Sequence, residues 1–226
     1  MTPRHVRRDH GWHGQTCLPV FLLLCLVTFL PAADAPTPLL SQSFDQLPEG
    51  KPPEDLLILA GNFHIQSLDN NKVLALDPNP LDSFGLIFGP AEHSSYTISL
   101  RVRASNTAKR FPEFGVGAPG PGGYKLWLMP ATNQLQLKNA DNLLTHVPYQ
   151  WTSGQWTRLK FQITKTADNK TQLQGKAWPD GQPEPKEWLI SAQSNQPPKP
   201  GKAVLWATPY SGTPTYFDDL QITPAQ

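Results

Sequence analysis

Cysteine is almost absent from this chain: its 226 residues contain two, Cys17 and Cys25, and both fall within the first 35. Beyond them no disulfide framework, Cys-ligated zinc site or thiol nucleophile can form, so a core has to hold by packing alone. An excess of positive charge is missing too. Residues 1–35 carry Arg4, Arg7 and Arg8 against Asp9 and Asp34; without them the 19 Lys+Arg fall to 16 and the 18 Asp+Glu to 16. A formally neutral chain with no Lys/Arg run lacks the surface that displaces counterions from phosphates, which argues against a nucleic-acid binder. Histidine is scarce, and past residue 35 only His64, His93 and His146 occur, without metal-ligand spacing. Neither Gly-x-Ser-x-Gly nor His-Glu-x-x-His is present, so serine-hydrolase and zincin chemistry find no support. Helical periodicity is lacking as well: no sustained 3.6-residue apolar repeat occurs past residue 35, where all but Pro3, Pro19 and Pro31 of the 25 prolines lie.

Long apolar runs are confined to one place. Leu18–Leu30 reads LPVFLLLCLVTFL, preceded by a basic segment and followed by Pro31-Ala32-Ala33-Asp34-Ala35. As a helix such a run rises about 20 Å, short of a hydrocarbon core of about 30 Å. Residues 1–35 therefore read as a secretory signal rather than a permanent membrane anchor, with cleavage after Ala32, Ala33 or Ala35. The remaining residues, 36–226, are expected to be secreted or to lie in the periplasm or cell envelope. A disulfide-free exported domain fits a bacterial envelope better than a small eukaryotic secreted module.

What recurs in residues 36–226 is period two over short runs bounded by Gly, Pro, Asn or Asp. In Tyr96–Ala104, Tyr96, Ile98, Leu100 and Val102 alternate with Thr97, Ser99, Arg101 and Arg103. In Trp156–Thr164, Thr157, Leu159, Phe161 and Ile163 oppose Arg158, Lys160 and Gln162. Comparable segments predict about thirteen strands, the first at Gln42–Phe44 and the last at Thr215–Ile222. Turn residues such as Asp69-Asn70-Asn71, Ser153-Gly154 and Pro179-Asp180-Gly181 separate them. Strands without interposed helices indicate one all-β domain, an antiparallel two-sheet sandwich.

Three stretches carry a family resemblance. Ser43-Phe44-Asp45 with Leu47-Pro48-Glu49-Gly50, the block from Gly175 through Trp178 and Gly181 to Pro185 with Trp188, and Tyr216-Phe217-Asp218-Asp219-Leu220-Gln221-Ile222 resemble bacterial secreted concanavalin A-like lectin/glucanase domains. They are also similar to the domain named 3-keto-disaccharide hydrolase. The resemblance spans most of residues 42–223 and implies a jelly-roll sandwich directed toward glycans. Members that hydrolyse laminarin-type glucans carry a Glu-x-Asp-x-x-Glu strand, and that spacing is absent here.

Gly115-Val-Gly117-Ala-Pro-Gly120 matches the dinucleotide Gly-x-Gly-x-x-Gly formally. A phosphate site needs the last glycine to open a helix, which Pro119, Pro121, Gly122 and Gly123 would break, so the segment reads as a glycine-rich loop between strands. Glycoside cleavage needs two neighbouring carboxyl groups. Glu113 is the best-placed candidate for catalysis, its alternative being a solvated carboxylate paired with Arg101 or Arg103.

With the apolar registers facing inward, the outward set comprises Arg101, Arg103, Lys125, Trp127, Arg158, Lys160, Gln162, Gln174, Lys176 and Trp178. Aromatic planes that stack on the C–H face of a pyranose, beside planar donors for its hydroxyls, make a sugar-binding surface. Arg101, Arg103, Lys125, Trp127 and Lys176 are therefore the expected glycan contacts, while Trp156, Trp188 and Trp206 read as core or edge cover. Asp45, Asp218 and Asp219 meet if the termini pair, and they form a candidate structural Ca²⁺ site; otherwise the acids protect an edge strand. No other cofactor is expected. The leading function is an exported, non-catalytic carbohydrate-binding or envelope-associated module with a glycan partner; the alternative is a glycoside hydrolase or lyase.

Overall fold

The computed structural model describes residues 37–79, 82–92 and 95–225, together with 1–3, 5 and 11. The chain divides into two units, Met1–Ala35 and Pro36–Gln226, and the fold set out below is that of the second. The apolar run 18–30, the expected cleavage region and His93 lie outside the described residues. Among the described residues no helix is long and apolar enough to cross a membrane.

Fifteen strands follow one another: β1 (Leu40–Gln42), β2 (Leu57–Ala60), β3 (Phe63–Leu68), β4 (Asn71–Leu76), β5 (Phe84–Glu92), β6 (Tyr96–Arg103), β7 (Glu113–Ala118), β8 (Tyr124–Met129), β9 (Gln134–Asn139), β10 (Asn142–Pro148), β11 (Trp156–Lys165), β12 (Thr171–Pro179), β13 (Ile190–Ser194), β14 (Gly201–Thr208) and β15 (Thr215–Pro224). A single 3₁₀ turn, Pro130–Thr132, is the one helical element among the described residues. Sheet A has the order β13-β12-β11-β6-β15-β4-β3, with β1 also on β15; sheet B runs β10-β9-β8-β7-β14-β5-β2. Every pairing is antiparallel. The molecule is a two-sheet jelly-roll sandwich.

Alternation places the core as expected. In β6 and β11, Leu100 faces Leu159, Ile98 faces Phe161 and Tyr96 faces Ile163, all buried. Phe44, Phe88, Phe114, Phe161 and Phe217 are fully enclosed between the sheets. The sheets come close at Gly175 of β12, where an added Cβ would lie 2.4 Å from Cδ1 of Leu126 in β8. That contact fixes the parity of β8: Leu126 and Leu128 point inward, so Lys125 and Trp127 point out.

Twelve of the thirteen expected strands are present, the thirteenth, expected at Gln42–Phe44, lies earlier at Leu40–Gln42 because Phe44 takes a left-handed φ of 63°, and β2 and β10 are additional. Leu57-Ile58-Leu59-Ala60 is exposed along its whole length, and so gave no alternation to read. β10 carries a register shift between Leu143 and Thr145, which breaks its period two. The strand expected at Glu187–Ser191 begins instead at Ile190. The glycine-rich loop was also expected too early: Gly115 and Gly117 belong to β7, leaving only residues 119–123 as the connection. The termini do pair, Leu40 with Ile222 and Gln42 with Leu220.

Truncating Phe217, which lies between Val102 and Leu74 on its neighbouring strands, should cost about 3–5 kcal/mol as Phe217→Ala. Leu57→Ala, on the exposed edge, should change stability by less than about 0.5 kcal/mol. Urea denaturation of both variants checks the contrast.

Candidate functional site

The outward face of sheet B is built on one cross-strand row. Register places Gly85 of β5, Trp206 of β14, Gly115 of β7, Trp127 of β8, Gln136 of β9 and His146 of β10 side by side. The glycines are what let two indoles lie down here. A Cβ at Gly85 would sit 2.6 Å from the Trp206 ring, and one at Gly115 would sit 2.1 Å from the Leu126 carbonyl and 3.0 Å from the Trp127 ring. Bulky rings thus cover bare backbone, an arrangement that shields a glycine strand and presents flat aromatic surface.

Polar groups converge on the same row. Trp127 Nε1 donates to Glu113 Oε2 at 3.0 Å. The Lys125 ammonium lies 5.0 Å above the Trp206 ring and that of Lys138 5.7 Å from the Trp127 ring. Lys125 also reaches Asp141 at 3.4 Å, and Gln136 Nε2 donates to Gln134 Oε1 at 2.7 Å. Trp206 Nε1 is buried and has no hydrogen-bond partner among the described residues. Between these side chains lies a cavity of about 430 Å³, lined by Glu113, Lys125, Trp127, Lys138 and Trp206, together with Ser83, Pro121 and Asp141.

Three of the residues expected from sequence, Glu113, Lys125 and Trp127, therefore meet in one cavity. Glu113 pairs with the indole of Trp127 rather than with an arginine. Trp127 itself is only 7% exposed, so its ring forms a wall and Trp206 supplies the more open surface. Trp206 was expected to be cover. Its strand, Gly201–Thr208, is apolar on both sides, with Ala203, Leu205 and Ala207 buried inward and Val204 buried outward; such a strand gives no clue to which face its tryptophan takes.

Arg101, Arg103 and Lys176 do not join this cavity, because they stand on the outward face of sheet A, across the core from Lys125 and Trp127. The single glycan surface expected from alternation is in fact two surfaces, since period two tells inward from outward but not one sheet from the other. On sheet A the charges are already matched. Arg101 donates to Asp218 at 2.6 Å and to Asp180 at 3.1 Å and lies 4.7 Å from the Trp156 ring. Arg158 holds Asp180 at 2.5 Å and Asp219 at 3.1 Å, and Arg103 pairs with Asp69. Lys176 is buried; its ammonium bonds Glu184 at 2.9 Å and the Pro185 carbonyl at 2.7 Å, over the Trp188 ring at 4.7 Å. It straps residues 184–188 onto the sheet, which explains why β13 starts three residues late, and it is not a free ligand contact.

The candidate calcium acids are likewise engaged elsewhere. Asp218, fully buried, accepts from Arg101, from Asn71 at 2.6 Å and from the Asp219 amide at 2.8 Å. Asp219 is held by Arg158, and Asp45 accepts only the long bond from the Lys72 amide, 3.4 Å. Among the described residues no group of three or more His, Cys, Asp or Glu is gathered to hold a metal ion. The guanidinium groups of Arg101 and Arg158 balance Asp218 and Asp219; Asp45 stands apart from them. Burial would raise the Asp180 carboxyl, but hydrogen bonds from Arg158 and Arg101 outweigh it and hold the group below the usual carboxylate range. The Arg101 guanidinium, which burial alone would lower, is raised by the Asp218 and Asp180 bonds.

No protein-family model matches the chain, and no curated protein matches it. Solved structures do. A carbohydrate-binding module, CBM66 from Bacillus subtilis, superposes with a TM-score of 0.51 at 10% identity, over 75% of this chain and 95% of that one. The carbohydrate recognition domain of Emp47p gives 0.53 at 12% identity, over 86% and 100%. An endo-β-1,4-glucuronan lyase from the fungus Trichoderma reesei gives 0.50 at 12%, over 84% and 96%. What the chain shares with all three is the jelly-roll fold.

Two outcomes follow from this geometry. Gly115→Ala drives a Cβ into backbone and should lose about 1–3 kcal/mol, whereas Gly85→Ala meets only the tip of the Trp206 ring and should tilt it, shifting the tryptophan emission at small loss of stability. Denaturation followed by fluorescence separates the two. For Asp180 the folded value is depressed, so its stabilisation is present above the unfolded value of about 4 and disappears as pH falls through the folded one. The melting-temperature gap between the wild type and Asp180→Asn should hold above about pH 5 and close below pH 4.

Proposed function

We propose that residues 36–226 act as an exported, non-catalytic carbohydrate-binding module whose ligand lies over Trp206 and Trp127 on sheet B. The observation that carries this reading is the row of two indoles laid on glycines, opening into a cavity rimmed by two carboxylates and two ammonium groups. An indole offers the C–H face of a pyranose its natural partner, and Glu113, Lys125 and Lys138 supply an acceptor and donors for hydroxyls. That a carbohydrate-binding module and a carbohydrate recognition domain share the fold supports the class of ligand. The basic, apolar and small-residue order of residues 1–35 supports export, with a secreted or envelope location.

The alternative, a hydrolase or lyase such as a member of the 3-keto-disaccharide hydrolase branch, rests on Glu113 standing in the cavity. Its weakness is that both carboxylates of the cavity are already engaged, Glu113 by the Trp127 indole at 3.0 Å and Asp141 by the Lys125 ammonium at 3.4 Å, whereas glycoside cleavage needs a pair of carboxyl groups free to act on one bond.

Titration with an oligosaccharide panel should quench tryptophan fluorescence, and Trp206→Ala should weaken binding about tenfold or more, the loss expected of a central aromatic anchor. Glu113→Gln should weaken it less, with no turnover in either protein. Release of sugar by the wild type that vanishes in Glu113→Gln would replace this reading with the hydrolytic one.

A further inference from the structure

The cavity on sheet B holds a charge arrangement that a neutral sugar does not require. Lys125 and Lys138 are directly opposite each other on β8 and β9, and like charges in that position repel. Little on the protein relieves them. Lys125 has one carboxylate, Asp141, at 3.4 Å, and the Asp141 side chain is 101% exposed, so water screens the pair strongly. Lys138 makes no ion pair among the described residues. Both ammonium groups rest instead over indole rings, at 5.0 and 5.7 Å, a contact worth about 0.5–1 kcal/mol where water has access. On sheet A, by contrast, Lys160 and Lys176 share Glu184, at 3.0 and 2.9 Å.

We propose that the ligand of this site is an anionic glycan, whose carboxylate or sulfate group bridges Lys125 Nζ and Lys138 Nζ while its sugar rings stack on Trp206 and Trp127. The inference rests on the carbohydrate-binding reading above and narrows it to a ligand class. One movement serves both halves of recognition. As the ammonium groups leave the indole faces for the anion, they uncover the aromatic surface that the pyranose covers. Glu113, held to the Trp127 indole at 3.0 Å, accepts hydroxyl donors and repels an anion placed beside it, so the acidic group of the ligand is directed to the two lysines.

The test uses matched probes on the folded chain: β-1,4-linked glucuronate oligomers against cello-oligosaccharides of the same length, which differ only in C6 oxidation, and the same comparison for oligogalacturonate with its carboxyl-reduced form and for sulfated with unsulfated galactan. Calorimetry at 50 mM and 500 mM NaCl should show at least one acidic probe binding about tenfold or more tighter than its neutral partner at low salt, with the preference falling to under threefold at high salt. The uronate and sulfate arms tell which anion is read. Lys125→Met with Lys138→Met keeps the alkyl stems and should bring the acidic-to-neutral ratio close to one, with the melting curve reporting that the fold persists. Neutral probes that bind as tightly as their acidic partners, or an acidic preference indifferent to salt and to both lysines, would overturn the proposal and leave carbohydrate binding standing. Absence of binding by every probe would remove both readings together.

Discussion

Burial of alternate side chains between two sheets is the constraint from which the rest follows, because a strand that commits one parity to the core has no choice about the other. Leu126 and Leu128 enter the interior, Leu126 reaching the space left by Gly175, and Lys125 and Trp127 are thereby carried outward. The same step on β14 buries Ala203, Leu205 and Ala207 and turns Trp206 toward the same face. Two tryptophans become neighbours without any local sequence pattern joining them, because β7 lies between their strands and offers Gly115 at that level. The site is a by-product of core packing until the glycines make room for it.

That room is where structure and function meet. A β-strand pays in conformational entropy for each glycine it contains, and Gly85, Gly115 and Gly117 all occupy interior positions of sheet B. At all three an added carbon would collide with an indole or with a carbonyl of the neighbouring strand. Rings that lie flat on backbone recover part of the lost packing, and they do so on the side facing solvent, where no fold requirement asks for them. The two outer faces also handle charge differently. Sheet A closes its arginines and acids into a network in which Arg101 and Arg158 share Asp180, Asp218 and Asp219, and it straps a loop across itself through Lys176. Such mutually satisfied groups leave a ligand little to gain.

The fold was legible because it depends on period two, and that signal is plain in β6 and β11, while β4, β7 and β14, buried on both faces over much of their length, were legible as short apolar runs between turn residues. The signal failed where the pattern carries no information: Leu57–Ala60 is apolar and exposed throughout, and the register of β10 slips. The site was only partly legible for a related reason. Alternation marks Lys125, Trp127, Arg101 and Arg103 alike as outward, but strand order alone decides that β8 and β6 belong to different sheets, and strand order is a long-range property. Glu113 could be singled out by its type, yet its partner is an indole reached through the register Phe114 with Leu128, not one of the arginines nearby in sequence. The termini were expected to pair, and they do; what sequence could not reveal was that guanidinium groups, contributed by β6 and β11, would already neutralise Asp218 and Asp219.

Sheet B therefore differs from sheet A in one property that bears on recognition: its cations are stored, not spent. An ammonium above an indole keeps its charge and gives up little, so it can be drawn to a better partner at small loss. The buried Lys176 cannot be drawn away so cheaply, because leaving Glu184 and the Pro185 carbonyl would break two charge-assisted hydrogen bonds made by an ammonium that has little access to water. Two lysines set opposite each other with one well-solvated counterion hold their mutual repulsion in reserve, and an arriving anion relieves it while the rings beneath are exposed. In a sandwich with no metal-binding cluster among its described residues, that stored imbalance is the physical feature that separates an open surface from a closed one.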